Sequence, residues 1–189
     1  MIQARALLWL TFPMLLVACP TQNSGTLSGL KTYDVGAGGD HKGGLISYDP
    51  AKYGLPPSGG PHNPAWQNCG IYDKPIATEH AVHSLEHGAV WIVYQESLPS
   101  AELDKLKSYV KDKTYTLLSP YPKTLSGVET PALPSPIVVS AWGVQKGYSS
   151  ADPEIKTFIG KYAAGSDSKA PEKGAQCVDA IDTPDERAQ

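Results

Sequence analysis

Residues 80–88 read HAVHSLEHG and hold three of the chain's five histidines, with Glu86 beside the last. Histidines at this density do metal-ion or acid–base chemistry, or they decorate a polar surface. On a helical wheel turning about 100° per residue, His80, His83 and His87 fall on one face, and Ala81, Val82 and Leu85 on the opposite one. Glu79 and Glu86 flank the histidine stripe. The pattern describes a helix packed on a core and presenting imidazoles to a cleft or to solvent.

Spacing decides which rings can share an ion. His83 and His87 stand at i and i+4, one turn apart, and can converge. His80 and His87 are two turns apart, roughly 10 Å along the axis, and are poorly placed for one ion. Two ligands are not a site. The expected third is His62, held between Gly59, Gly60, Pro61 and Pro64. The outer candidates are His80, His41, Glu79, Glu86 and, as a thiolate, Cys69. Imidazole suits zinc and copper. The two methionines, Met1 and Met14, lie in the N-terminal segment. Once that segment is removed, a thioether copper(I) site is excluded. The expectation is a zinc or copper ion on His62, His83 and His87. The plain alternative is a surface stripe, or core histidines satisfied by hydrogen bonds.

His83 to His87 also reads H-x-x-E-H, the pattern of inverted zinc peptidases, in which the glutamate is a general base. Those enzymes need a third ligand on another element. Glu102, Glu154 and Glu172 are available, but none has a supporting pattern around it. Gly88 ends the helix at once. A small metal-dependent hydrolase using Glu86 as base is kept as an alternative. No Ser-His-Asp order or nucleophile elbow is present. A further alternative is a metal-independent envelope binding module, whose surface would use Tyr53, Trp66 and Tyr72.

The elements that must position these residues follow from periodicity and punctuation. Residues 1–18 carry one charge, Arg5, and an apolar run from Ala6 to Ala18, the layout of a secretory signal. The run ends Leu16-Val17-Ala18-Cys19, which resembles a bacterial lipobox. The expectation is a diacylglycerol on Cys19, with the protein anchored to the outer face of a bacterial membrane in the cell envelope. Residues 19–35 would be the lipidated N-terminus and tether, 36–164 the domain, and 165–189 a polar tail. The net charge is −3 with no basic block, so nucleic acid is not an expected partner.

Seventeen prolines and eighteen glycines imply long loops. The glycine-rich loop 36–44 holds His41, and the loop 53–76 holds His62, Trp66 and Cys69. Residues 45–48 (LISY) read as a short strand. Residues 77–87 read as a helix, 89–95 as a buried strand, and 98–112 as a helix capped by Ser100. Residues 114–118 and 137–142 read as strands, and 153–162 as a helix. This order gives an α+β fold: one compact domain with a small central mixed sheet and about three helices. Cys69 and Cys177, in an exported chain, point to a disulfide that would pin the tail. Closing so long a loop contributes up to roughly 4–5 kcal/mol in the chain-entropy account.

The stretches PPSGGPH (56–62), CGIYDKPI (69–76), VHSLEHGAVWIVY (82–94), PIVVSAWG (136–143) and APEKGAQC (170–177) resemble the domain of unknown function 3105 family of exported bacterial proteins. The resemblance implies that His62, His83, Glu86 and His87 lie in family motifs, with His41 and His80 outside them. It includes both Cys69 and Cys177, as a disulfide pair requires. It implies no reaction, metal or substrate.

Overall fold

The computed structural model describes residues 25–188. The expected signal 1–18 and the lipidation position Cys19 lie outside these residues. The fold is α+β. A mixed six-stranded sheet runs in the order β1 (Lys31–Thr32), β8 (Val144–Tyr148), β7 (Ile137–Ala141), β3 (Val90–Tyr94), β4 (Thr116–Pro120), β2 (Gly70–Ile71). β3 and β4 are parallel and joined through α3 (Ser100–Val110), the crossover that a parallel pair requires. β7 pairs antiparallel with both β3 and β8. The remaining helices are α1 (Pro50–Tyr53), α2 (Thr78–Glu86) and α4 (Glu154–Tyr162), and a separate hairpin joins β5 (Thr124–Leu125) to β6 (Val128–Glu129). Among the described residues, no helix is long and apolar enough to cross a membrane.

Strand alternation sorts the core into two faces. Val90, Ile92 and Tyr94 of β3, with Ile137 and Val139 of β7, face Leu106 of α3 and Ile155, Phe158 and Ile159 of α4. Trp91, Val93 and Val138 face the other way, onto Ala81, Val82 and Leu85 of α2. The apolar stripe of α2 therefore packs on the sheet, and its histidine face points outward from the core. Gly88, at φ +99°, closes the helix with its N–H donating to Leu85 O; a positive φ suits glycine there.

Some expectations are corrected. Residues 45–48 are not a strand; Tyr48 instead packs against Tyr53 and donates to Pro61 O. Ser100 is the first residue of α3, not its cap; Pro99 precedes it without a side-chain cap bond. β8 is an additional strand: its VQKGY sequence mixes Gln, Lys and Gly among the buried positions, which hides the alternation. Within the stretch read as a tether, Lys31–Thr32 adds a strand to β8, and Leu27 and Leu30 pack against the core. The tail is also held beyond Cys177: Ile181 N–H donates to Trp66 O, and Asp185 N–H to Pro75 O.

Candidate metal centre

The histidine face of α2 is roofed by loops, so its side chains are enclosed. Glu86 is 0% exposed, and His83 and His87 are each 3% exposed. Two loops form the roof. Residues 36–44 and 59–62 run together through Lys42 N–H to His62 O and His62 N–H to Asp40 O. This brings His41 and His62 side by side above the helix.

Four side chains then converge: His41, His62, His83 and Glu86 each offer a ligand atom, all within 4.8 Å of one another. Glu86 Oε2 is the centre, 2.8 Å from His62 Nε2, 3.7 Å from His41 Nε2 and 4.0 Å from His83 Nε2. Its other oxygen, Oε1, accepts from Gly39 N–H at 2.5 Å. Three of the four residues are buried, and the His41 side chain is 40% exposed on the solvent side.

Backbone carbonyls orient two of the rings. His62 Nδ1–H donates to Gly60 O at 2.8 Å, and His83 Nδ1–H to Asn63 O at 2.6 Å. A carbonyl only accepts, so each Nδ1 carries the proton and the neutral ring keeps a lone pair on Nε2. This is the arrangement that fixes a metal-ligating histidine. Burial pushes the His83 imidazolium down to about 4, ahead of a smaller opposing effect from its bond to Asn63 O. The His83 ring is therefore neutral at neutral pH. With the His62 proton on Nδ1, His62 Nε2 and Glu86 Oε2 are both buried with no hydrogen-bond donor on either, facing each other across 2.8 Å. Buried polar atoms are rarely left so.

The loops need their glycines here. Gly38 sits at φ +91°, and a Cβ on it would lie 2.2 Å from Glu86 Oε1. Gly60, at φ +105°, would set a Cβ 2.4 Å from the Tyr53 ring. No β-carbon fits in either place.

The other sequence candidates go elsewhere. His87 stacks edge-on against His83, ring centroids 4.6 Å apart, but its Nε2 faces Glu172 Oε2 at 3.5 Å, and it is not one of the four converging groups. His80 Nδ1 bonds Ala65 O. Glu79 is buried and takes both terminal nitrogens of Arg187. Cys69 is joined to Cys177, so it is no free thiolate. The aromatic residues of the loop serve internal contacts: Trp66 packs on His83 and His87 and donates to Val178 O, and Tyr72 donates to Asn68 O. Sequence spacing ranked His41 and Glu86 low because His41 comes from a distant loop. Glu86 meets His83, its neighbour at i and i+3 on the helix.

A family model described as protein of unknown function (DUF3105) matches residues 41–179. The chain belongs to this family. No curated protein and no solved structure matches it. The DUF3105 match begins at His41 and contains all four converging residues, His80, His87, Glu172 and both cysteines. His41 and His80 thus fall inside the family region, beyond the shorter stretches that carried the resemblance.

Proposed function

We propose that this DUF3105 protein binds one divalent transition ion, zinc or copper, through His41, His62, His83 and Glu86, at the outer face of a bacterial membrane to which Cys19 is lipid-anchored. The anchoring rests on the N-terminal sequence alone. One observation carries the metal reading: His62 Nε2 and Glu86 Oε2, both buried and lacking hydrogen-bond partners, face each other across 2.8 Å. Three imidazoles and a carboxylate are a borderline donor set, suited to Zn²⁺ or Cu²⁺ with bonds of about 2.0–2.2 Å. Relative to the set expected from spacing, His41 and Glu86 enter and His87 leaves. An ion there would give the Nε2 lone pairs a partner and would neutralise a buried carboxylate.

The hydrolase alternative is weaker. A general base needs a carboxylate oxygen facing a water or substrate. Glu86 Oε1 is engaged by Gly39 N–H, and Oε2 is turned toward three imidazoles. This supports Glu86 as a ligand.

The test is metal analysis with thermal unfolding. Wild-type protein, after purification, should carry close to one tightly bound ion per chain and lose stability with chelator. At an ion concentration 100 times Kd, binding adds about 2.7 kcal/mol. Glu86→Gln and His62→Gln should retain no tightly bound ion after purification and show no chelator effect. Equal ion content and equal melting temperatures in wild type and both variants would refute the proposal.

A further inference from the structure

The H-x-x-E-H stretch holds one histidine that the inner cluster leaves unused. The His87 side chain is 4% exposed. Its Nδ1–H donates to Gln176 O at 2.5 Å, so the neutral ring directs its Nε2 lone pair away from that carbonyl. The lone pair faces Glu172 Oε2 at 3.5 Å. That gap exceeds an ordinary N–H···O bond of about 2.7–3.2 Å. It matches the roughly 3–3.5 Å between two donors that share an ion at about 2.0–2.2 Å from each.

The position of Glu172 is built, not incidental. Its N–H donates to Glu86 O at 3.0 Å, and Gly174 N–H donates to His87 O at 3.0 Å. The segment is thereby bonded to the end of α2, and Cys177 is tied to Cys69 directly after it. Trp66 covers the pair of rings, 5.0 Å from His87 and 5.7 Å from His83. The Glu172 side chain is 52% exposed, so the carboxylate meets solvent while the imidazole lies inside. His83, 4.6 Å from His87 by ring centroids, belongs to the inner cluster.

We propose that His87 and Glu172 form an outer position for a divalent transition ion, beside the inner cluster, where an incoming ion is captured before it passes to His41, His62, His83 and Glu86. This rests on the metal reading above. One imidazole and one carboxylate, with water completing the shell, bind more weakly than three imidazoles and a carboxylate, and this difference drives transfer inward. His83, adjacent to His87, is the ligand by which the ion enters the inner set.

The experiment is a Cu²⁺ titration of the full chain in detergent at neutral pH. Equilibrium dialysis counts bound ions, electron paramagnetic resonance separates the two ligand environments, and tryptophan quenching gives the loading rate. Wild type should take two ions, one tight and one weak. His87→Ala and Glu172→Gln should each take one, with the tight signal retained and loading at least tenfold slower. Glu172 is half exposed, so its replacement keeps the fold even where that of His87 does not. Glu86→Gln should keep the weak ion and lose the tight one. A wild type that takes one ion, lost in Glu86→Gln but unchanged in number and loading rate in Glu172→Gln, overturns the outer position and leaves the inner site standing. A wild type that takes two ions and still takes two in Glu172→Gln and His87→Ala also overturns it. A wild type that takes none overturns both.

Discussion

The two faces of the central sheet are built by different means. Toward α3 and α4 the buried residues form an apolar cluster of interleaved aliphatic and aromatic side chains. Toward α2 the buried set includes His62, Gln67, Glu79, His83, Ser84, Glu86 and His87. The first face is held by burial, at about 25 cal/mol per Å² of apolar surface. The second has its own apolar cluster, in which Trp91, Val93, Leu117 and Val138 meet Ala81, Val82 and Leu85 of α2, and adds a disulfide, an Arg187–Glu79 pair and backbone bonds between loops. A polar, enclosed site must be made from groups that cost free energy to bury, so covalent and ionic ties supplement apolar packing around it. The face toward α3 and α4 and the face that carries the candidate site are thus separate.

The largest effect that tests this separation is Phe158→Ala. Phe158 is fully buried between α4 and the sheet. Truncation should cost about 4 kcal/mol, measured by denaturant unfolding, with ion content per folded molecule unchanged. Loss of ion content in that variant would break the comparison. Next comes Cys69→Ser/Cys177→Ser. Removing the cross-link should cost about 3 kcal/mol, and, unlike Phe158→Ala, it should also disturb the ion, because the segment it ties lies against the end of α2.

The contrast also explains what could be read from the residues. The strands and helices of the apolar face follow hydrophobic periodicity, so the residue pattern marks β3, β7, α3 and α4 to within a few residues. α2 was equally legible, because its apolar stripe is regular. The site was only half legible. His62 and His83 could be named from a rigid loop and a helical face. His41 could not be placed, since its approach depends on two glycine-rich loops pairing by backbone hydrogen bonds. Side-chain patterns do not record such pairing. Glu86 lies about 60° from His83 on the helical wheel, close enough for both to reach inward, but the loops above the helix decide that they do.

Smaller effects sharpen the picture. Arg187→Ala leaves Glu79 buried with one backbone donor, Ile46 N–H. It should cost about 2 kcal/mol, read from the melting temperature, with the ion retained, since Glu79 is not among the converging groups. The most local is Gly38→Ala. A side chain in the left-handed region costs about 1 kcal/mol, and the added carbon has no room, 2.2 Å from Glu86 Oε1 and 2.6 Å from the Pro171 ring, so the loop or Glu86 must move. Its signature should be at least tenfold weaker ion binding, by competition with a chelator, with a lowered melting temperature.

Glu86 divides its two oxygens between tasks: Oε2 toward the imidazoles, Oε1 on the amide of Gly39, two residues before His41. The same carboxylate that would hold an ion therefore also latches the loop that delivers the most exposed ligand. One side chain thus couples the loop to the candidate ligand set: were it to turn away, the loop would lose its tie to α2 and keep only its backbone bonds to His62. On the proposed reading, loss of the ion should therefore be accompanied by faster solvent exchange of the Gly39 amide proton, which reports on the latch and not on any single ligand bond.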